Sequence, residues 1–384
     1  MHICIVSPGY PSEHRPQYPF VAQICHALAD AGHRITVIAP QSITKSIVRR
    51  VPLAPRFHKD RTKIGYEIAV YAPCYVSVGN LPYIGARVNY RQFSCAVNRA
   101  FRNLPEKPDI CYGHFWHTAY AAYLSVSKYG IPLFVSSGEA EIELHSYFSL
   151  KKLLPFVDYV RGVICVSSKN RQESIDAGLA SVDKCIVIPN AIDETLFYPR
   201  DKYEMRRLVG FPISDFIVAF VGGFIHRKGS QRIAEAITML NDPQIKSIFI
   251  GSTQDNDRCD PLCQGILFKG KLPHDRIPDY LNCADVFVMP TLHEGCCNAI
   301  IEAMACGLPI ISSDRSFNFD ILDSSCAILV DPMNIREIAD AIHSLKTDLG
   351  ERARLSKNAL RRVSEFTIKK RAEQIVRFIY DKLQ

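Results

Sequence analysis

The chain has 384 residues, of which 47% are hydrophobic and 22% charged, and its formal net charge is +7. This composition is typical of soluble globular proteins, and the length predicts two domains because single hydrophobic cores rarely grow so large. The start MHICIVS has no leader-like region and no long apolar run follows, which excludes a membrane span and favours a cytoplasmic protein. Fourteen scattered cysteines without a CxxC pair indicate reduced thiols instead of a disulfide framework.

Short apolar runs alternate with helical or loop segments along the whole chain, which predicts an α/β fold built from parallel, doubly wound sheets. The strands predicted for the first half are 3–7, 35–39, 67–71, 109–112, 132–136, 163–166 and 185–188. Those predicted for the second half are 216–222, 246–251, 265–269, 285–289, 309–312 and 327–330. Two Rossmann-like halves are therefore expected, followed by one last helix that begins near Phe366.

The segment Lys45–Lys63 concentrates positive charge. Residues 1–195 hold 21 Lys and Arg against 15 Asp and Glu, and this one segment, with seven basic residues against Asp60, accounts for the whole surplus. Because prolines at 52 and 55 prevent one continuous helix, we predict a surface loop attracted to an anionic membrane or to an acidic acceptor. A mobile, solvated loop is the alternative. Nucleic acid is not expected as a partner, since no recognition motif accompanies the charge.

Two carboxylates stand eight positions apart in the segment HEGCCNAIIEAMACGLP. Glu294 lies in the loop after a predicted strand, and Glu302 lies inside a short helix, about 299–306, with Asn298 as the expected N-cap and Gly307 as the left-handed C-cap. Carboxylates accept hydrogen bonds from sugar hydroxyls, and a helix N-terminus favours phosphate, so a nucleotide sugar would use both. The spacing alone leaves an alternative open, in which Glu294 stabilises the helix dipole and Glu302 is an ordinary solvated helix residue.

This motif resembles the E-x7-E signature of retaining glycosyltransferases of family four, which have the GT-B fold. The resemblance continues in MHICIVSPGYPS, VICVSSKNRQ, IVIPNAIDETLFYP and FIVAFVGGFIHRKGSQRIAEAI, and covers nearly the whole chain. It implies an acceptor-side domain (1–195), a donor domain (196–365), a cleft between them, and a last helix (366–384) that crosses back to the first domain. It also implies retaining transfer of a hexose from a UDP- or GDP-sugar to a saccharide or lipid-linked acceptor, in polysaccharide or glycolipid biosynthesis, without a metal or another cofactor.

The resemblance assigns catalysis to Lys228, Arg227 and Glu294. A departing diphosphate gains charge as the glycosidic bond breaks, and the two cations would neutralise it. Glu302 is expected to hold the ribose and Glu294 the donor sugar. The residues expected around the donor are Gly9, Gly222, Gly223, Arg227, Lys228, Glu294, Gly295, Cys296, Cys297, Asn298 and Glu302. The chain departs from the family at Gly223, where relatives carry an arginine, and Arg227 is the expected substitute.

The only DxD sequence, Asp255-Asn256-Asp257, is interpreted as a turn, since Asp and Asn favour turns, and no metal ligands are predicted.

Acceptor contacts are predicted for His114, His117 and Glu139, because the histidine that many relatives carry after the strand PLFVSS is missing here. Packing or helix capping is the alternative for each histidine, and Trp116, the only tryptophan, is either a sugar platform or a core ring. Two other functions stay open: a nucleotide-sugar-binding protein without transfer activity, and a GT-B epimerase acting on the nucleotide sugar. A nicotinamide dehydrogenase is not expected without a GxGxxG pattern.

Overall fold

The computed structural model describes residues 1–12, 14–15, 18–78, 85–139, 141–253 and 257–384. The chain forms two compact units, one of residues 1–188 with 368–384 and the other of residues 189–367. The corresponding limits predicted from the sequence follow residues 195 and 365. Each unit has its own buried apolar core, so each is described separately.

The first unit contains an eight-stranded sheet and a two-stranded one. Its strands are β1 (His2–Val6), β2 (Arg34–Ile38), β3 (Gln41–Ser42), β4 (Phe57–Arg61), β5 (Glu67–Tyr71), β6 (Cys74–Tyr75), β7 (Ile110–His114), β8 (Leu133–Ser137), β9 (Val160–Cys165) and β10 (Cys185–Val187). Its helices up to this point are α1 (Pro19–Asp30), α2 (Ile43–Arg49), α3 (Gly85–Arg102), α4 (Trp116–Val126), α5 (Leu144–Tyr147), α6 (Leu150–Tyr159) and α7 (Ser168–Asp176).

The large sheet has the order β10-β9-β8-β7-β1-β2-β5-β4, and its neighbouring strands are parallel except for the antiparallel pair β4–β5. The central strands are buried along nearly their whole length, as in Ile110–His114, because helices cover both faces of a parallel sheet. Strands β3 and β6 pair with each other in parallel.

The second unit contains a six-stranded parallel sheet. Its strands are β11 (Phe216–Val221), β12 (Ile245–Ile250), β13 (Ile266–Gly270), β14 (Val286–Met289), β15 (Ile310–Ser313) and β16 (Ala327–Val330). Its helices are α8 (Lys202–Val209), α9 (Ser230–Leu240), α10 (Ile277–Leu281), α11 (Asn298–Ala305), α12 (Ile335–Thr347) and α13 (Leu349–Val363). The last helix, α14 (Ile368–Leu383), belongs to the first unit and packs against α1 and β9.

The strand order β13-β12-β11-β14-β15-β16 places the switch point of the second sheet between β11 and β14. The chain winds towards one edge of the sheet from β11 to β13 and towards the other edge from β14 to β16. In open parallel sheets, ligands bind outside the carboxyl ends of the strands at such a switch point. The loop after β11 carries Lys228 and the loop after β14 carries Glu294, so the topology brings these two predicted residues to the same place.

Each predicted strand is present in the structure, with ends shifted by a few residues at most. The prediction of a surface loop for Lys45–Lys63 is wrong. The segment starts within α2, whose N-cap Ser42 accepts a hydrogen bond from the Lys45 N–H at 3.1 Å, and continues into β4, which gains its hydrogen bonds from β5. The prolines at 52 and 55 lie between these two elements. The sequence does not indicate this strand, because β4 is a charged edge strand whose side chains are exposed or half-buried.

Candidate active site

The loops after β11 and β14 are held together at the switch point. A short 3-10 turn, His226–Lys228, follows β11, and the backbone carbonyl of Arg227 accepts a hydrogen bond from the Leu292 N–H at 2.8 Å. Gly229, with φ +81°, then starts α9; a Cβ there would lie 2.7 Å from the Pro290 carbonyl oxygen. A glycine is therefore required for the first loop to approach the end of β14 this closely.

Three donors converge on one oxygen of Glu294, whose side chain is almost buried. Oε1 accepts from the Lys228 Nζ, from the Arg227 Nη1 at 2.8 Å, and from the Thr291 Oγ1 at 3.1 Å. Among the residues that the structure describes, none donates to the other oxygen, Oε2. The carboxylate is thus fixed in place by one oxygen and has the second available as an acceptor.

A second carboxylate of the same unit shows what a purely structural cluster looks like. Asp285 also contacts two cations, since Oδ1 accepts from Lys202 at 2.7 Å and Oδ2 from Arg206 at 2.6 Å. Its Oδ2 also accepts from the Ile217 N–H at 2.8 Å. Both oxygens of Asp285 thus have protein partners, whereas Glu294 has partners among the described residues at Oε1 only. This difference distinguishes a structural ion cluster from a carboxylate that can still accept a hydrogen bond from a ligand.

Glu302 lies on α11, 9% exposed, and its Oε1 is 2.9 Å from the Nε2 of His274. This hydrogen bond raises the pKa of His274 above its usual value, although partial burial acts the other way. No described residue donates a hydrogen bond to the Oε2 of Glu302. The sequence does not predict His274 as a site residue, because His274 precedes α10 and no motif links it to a residue 28 positions later.

The helix that carries Glu302 starts one residue earlier than predicted. Asn298 is its first residue and Cys297 is the N-cap residue, so the prediction of Asn298 as a cap is wrong. The Asn298 side-chain oxygen instead accepts a hydrogen bond from the Nδ2 of Asn190 at 2.8 Å, which anchors the loop to the segment that begins the unit. Gly307 has φ +79° after the helix, as predicted.

The pKa of the Cys297 thiol is influenced by three of the predicted charged residues, Lys228, Glu294 and Glu302. Burial raises its pKa, the nearby Lys228 ammonium lowers it, and the carboxylates of Glu294 and Glu302 raise it. A single side chain therefore lies within electrostatic reach of all three. The structure brings these residues together at the carboxyl edge of the second sheet, beside the start of α11.

The other predicted donor residues differ in where they lie. Gly295 and Cys296 belong to the same loop as Glu294, and Gly222 and Gly223 directly follow β11. Gly9 belongs to the first unit, where it packs against an aromatic ring: a Cβ there would lie 2.7 Å from the Cδ2 of Tyr18.

Of the predicted DxD turn, Asp255 and Asn256 lie outside the described residues. The carboxylate of Asp257 accepts a hydrogen bond from the backbone N–H of His226 at 3.0 Å. Within the described ranges, no group of three or more His, Cys, Asp or Glu side chains has an arrangement suited to a metal ion.

The three predicted acceptor residues lie in the first unit and make mostly internal contacts. His114 is buried against the rings of Phe20 and Phe115, at centroid distances of 5.3 and 4.7 Å, and burial lowers its pKa to about 3. Burial also lowers the pKa of His117 to about 4. Both imidazoles are therefore neutral at physiological pH, and acceptor contact by them stays a prediction.

Glu139 receives hydrogen bonds at the start of α4. Its carboxylate accepts from the N–H groups of Trp116, at 2.7 Å, and Gly138, at 2.9 Å, and from the Ser137 hydroxyl, at 3.1 Å. Burial nevertheless raises its pKa to about 7. Trp116 is 1% exposed and donates its indole N–H to Ser174, so it is a core ring and not a sugar platform.

Two family models match the chain. The model described as Glycosyltransferase Family 4 matches residues 20–196, and the model described as Glycosyl transferases group 1 matches residues 201–362. TuaC of Bacillus subtilis, whose name assigns it to teichuronic acid biosynthesis as a glycosyltransferase, is 28% identical over 355 residues, covering 89% of this chain and 88% of its own length. A D-inositol 3-phosphate glycosyltransferase of Stackebrandtia nassauensis is 22% identical, covering 72% of this chain and 69% of its own.

Solved structures show the same fold at low sequence identity. Sucrose-phosphate synthase from Thermosynechococcus elongatus has a TM-score of 0.79 at 20% identity, covering 100% of this chain and 98% of its own. HepE from Anabaena, solved in complex with UDP-glucose, has a TM-score of 0.71 at 18% identity, covering 99% of this chain and 100% of its own.

The two family models together match most of the chain, one in each half. The chain belongs to the group 1 and family 4 glycosyltransferases, and it has the GT-B fold. Among the helices that the structure describes, none combines the length and the apolar character needed to cross a bilayer.

Proposed function

We propose that this glycosyltransferase moves a hexose from a UDP- or GDP-sugar to a saccharide or lipid-linked acceptor, with retention of configuration and without a metal or another cofactor. The observation that carries the proposal is the meeting of Lys228, Arg227 and Glu294 at the switch point of the second sheet, with one oxygen of Glu294 open. The complex of HepE with UDP-glucose supports a nucleotide-sugar donor. The name of TuaC supports a role in polysaccharide or glycolipid biosynthesis.

The donor would be held by two kinds of contact. An ammonium group has three N–H donors, and Lys228 uses one on Glu294, which leaves two for diphosphate oxygens. The Oε2 atoms of Glu294 and Glu302 can accept from hydroxyls, of the transferred sugar and of the ribose respectively. The backbone N–H groups around Gly295 to Asn298, before and at the start of α11, add donors for sugar hydroxyls and phosphate.

In this mechanism the bond between the anomeric carbon and the β-phosphate oxygen breaks while the acceptor oxygen forms the new bond on the same face. The departing phosphate takes the acceptor proton, and Lys228 with Arg227 stabilises its growing negative charge. Glu294 orients the sugar and forms no bond to the anomeric carbon, so this mechanism has no covalent glycosyl-enzyme.

A screen of UDP-, GDP- and ADP-sugars for nucleotide release by the purified protein tests this proposal. Slow release without an acceptor is expected for one UDP- or GDP-sugar and should persist in excess EDTA. Release that requires a divalent cation would contradict metal independence. Once an acceptor is found, NMR of the product must show the anomeric configuration of the donor, and inversion would contradict the mechanism. Conversion of the donor sugar without an acceptor would indicate an epimerase instead.

We also propose that α2 brings the first unit to an anionic membrane surface. Ile47 and Val48 are 72% and 75% exposed on this helix, within the segment Lys45–Lys63 that holds the basic surplus of the first half. Apolar side chains that enter the interface and basic residues near anionic lipid, each contributing on the order of 1 kcal/mol, act together in such docking.

Flotation with vesicles of phosphatidylcholine, with and without phosphatidylglycerol, tests the membrane contact. Binding is expected only with the anionic lipid and should weaken at high salt. The variant Ile47→Asp/Val48→Asp should stay in the soluble fraction, whereas Leu262→Asp, which changes an equally exposed leucine of the second unit, should float like the wild type. Absence of wild-type binding at low salt would end the proposal.

A further inference from the structure

The first unit has a cavity of about 660 Å³ at the carboxyl edge of its large sheet. Pro8, which follows β1, and Pro40, which follows β2, form part of its wall, and α2 forms another part. A cavity of this size is typical of a small-molecule site. The described residues that line it belong to the first unit, whereas Lys228 and Glu294 belong to the second.

Four basic side chains line this cavity: His14, Arg15, Lys45 and Arg49. Lys45 and Arg49 are four positions apart on α2, which places them on the same side of the helix. No Asp or Glu occurs among the described residues that line the cavity. Within the described part of the chain, no carboxylate lies within ion-pair distance of Arg15, Lys45 or Arg49. Among the described residues, the cavity therefore has a concentrated positive charge without a carboxylate partner.

Arg15 is held in position by the backbone beyond α2. Its Nε donates to the carbonyl of Pro52 at 3.0 Å, and its Nη2 donates to the carbonyl of Val51 at 3.4 Å. A guanidinium has five N–H donors, so three remain for a ligand. Because carbonyls fix the side chain without neutralising it, little rotamer entropy is lost when it binds an anion.

The side chains of Gln41 and Ser42 in the wall are already occupied by protein partners. The Gln41 amide donates to the carbonyls of Ala54, at 2.7 Å, and Ala72, at 3.0 Å, and it accepts from the Ala54 N–H at 2.9 Å. The Ser42 hydroxyl pairs with that of Ser77 at 2.7 Å. Apart from the hydroxyls of Tyr18 and Tyr75, the side-chain donors left for a ligand are basic, and such a wall favours a negatively charged ligand over a neutral sugar.

Aromatic rings complete the cavity. Tyr18, Phe20 and Tyr75 line it, and Tyr18 packs directly over Gly9. Any side chain at position 9 would displace this ring, since a Cβ would lie within 2.9 Å of two of its carbon atoms. Gly9 thus shapes this cavity, and the donor contact predicted for it from the sequence stays a prediction. Rings beside cations suit a ligand that joins a charged group to a less polar body.

We infer that this cavity binds a phosphate or diphosphate ester, and that the acceptor of the reaction carries this group. The inference rests on the proposed function, because it names the acceptor class of that transfer. A multiply charged phosphate ester matches the four basic side chains and the guanidinium fork better than a neutral saccharide does. A lipid-linked sugar diphosphate and a free sugar phosphate share this chemistry.

Calorimetric titration with inorganic pyrophosphate measures the binding step without any turnover. Because pyrophosphate also resembles the donor diphosphate, the titrations are made in a Lys228→Ala background. The variants Arg15→Gln and Lys45→Gln/Arg49→Gln should each weaken the remaining binding at least about tenfold, the effect expected from losing a hydrogen bond to a charged group. Arg50→Gln removes the same charge beside Arg49 but outside the lining, and it should change the Kd less than twofold.

The double variant keeps the test valid if Arg15→Gln fails to fold, since Lys45 and Arg49 are both exposed. If the double variant binds pyrophosphate as tightly as its Lys228→Ala parent, or if Arg50→Gln causes a loss of equal size, the inference is overturned. Competition identifies the source of the phosphate: displacement of pyrophosphate by glucose 6-phosphate indicates a free sugar phosphate, and displacement by a prenyl diphosphate in phosphatidylcholine vesicles indicates a lipid-linked acceptor. Displacement by neither overturns the assignment to a phosphate ester.

Failure of this inference and failure of the proposed function give different results. If no nucleotide sugar is hydrolysed but pyrophosphate still binds through Arg15, the proposed function is wrong and an anion site remains. If nucleotide release is normal and pyrophosphate binding does not depend on Arg15, Lys45 or Arg49, only the inference about the acceptor is wrong.

Discussion

Replacing Lys228 by alanine tests the central element of the proposed site. We expect kcat for nucleotide release and for transfer to fall about 10²- to 10³-fold, because losing one group that stabilises transition-state charge typically costs about 2.7–4 kcal/mol. The effect should appear mainly in kcat, since the charge on the leaving diphosphate increases as the bond breaks. Lys228→Arg should recover part of the rate, because it keeps the charge but not the position of the ammonium.

The fold should survive this substitution. Glu294 keeps the Arg227 guanidinium at 2.8 Å and the Thr291 hydroxyl at 3.1 Å, so no buried carboxylate is left without a partner. We therefore expect the free energy of unfolding to fall by only about 1–2 kcal/mol, less than the cost of stranding a buried charge. A large loss of rate with a small loss of stability is the signature of a catalytic group.

Lys202→Ala is the matched control. Lys202 also lies at the start of a helix in the second unit, and it also contacts a carboxylate, Asp285, that keeps a second cation, Arg206. Its removal should lower the free energy of unfolding by an amount similar to that for Lys228→Ala. It should leave kcat within twofold of the wild type. Activities are compared with the nucleotide sugar identified by the screen, and stabilities by thermal unfolding of both variants. Lys228→Ala activity within twofold of wild type would refute the assignment.

Two further predictions concern pH and backbone packing. The hydrogen bond to Glu302 raises the pKa of His274 above 6.5. The stability that this bond gives the folded protein is therefore complete below about pH 6.5 and is lost as the pH rises through the raised pKa. Urea titrations should show the free energy of unfolding falling with pH in this window, and His274→Gln should remove that part of the slope; an unchanged slope would contradict the pairing. Gly251→Ala should lower the free energy of unfolding by about 2 kcal/mol or more, because the added Cβ would lie 1.8 Å from the Gly222 carbonyl oxygen. Gly270 lies on the neighbouring strand, and a Cβ there would have its nearest contact at 3.6 Å, so Gly270→Ala should leave the stability nearly unchanged. Thermal unfolding of both variants checks this, and equal losses of stability would argue against the close approach at Gly251.

The strands could be predicted because parallel strands buried on both faces read as continuous apolar runs, as in Phe216–Val221. The same rule explains the failures. Strand β4 (Phe57–Arg61) has alternating exposed and half-buried residues, three of them charged, and its partner β5 supplies the pairing that its sequence does not indicate. Helix α2 leaves Ile47 and Val48 exposed, so its apolar residues do not mark a buried face.

The candidate site was predictable where contacts follow from topology. Loops after neighbouring parallel strands meet at one edge of a sheet, and this geometry unites Lys228 with Glu294 although 66 positions separate them. The pairing of His274 with Glu302 depends on how the short turn after β13 packs beside α11, and no local pattern specifies that. The close approach of the Tyr18 ring to Gly9 likewise could not be predicted, because no local pattern links these two residues.

The departure from the family pattern at Gly223 has a structural explanation. The carbonyl of Gly223 accepts a hydrogen bond from the Ile225 N–H at 2.9 Å, so the chain turns directly after β11. The 3-10 turn that follows places Arg227 beside Lys228, and both side chains reach the same oxygen of Glu294. An arginine at position 223 is thus unnecessary for two cations to meet at this carboxylate. Arg227 is therefore the group that we expect to share the diphosphate charge with Lys228.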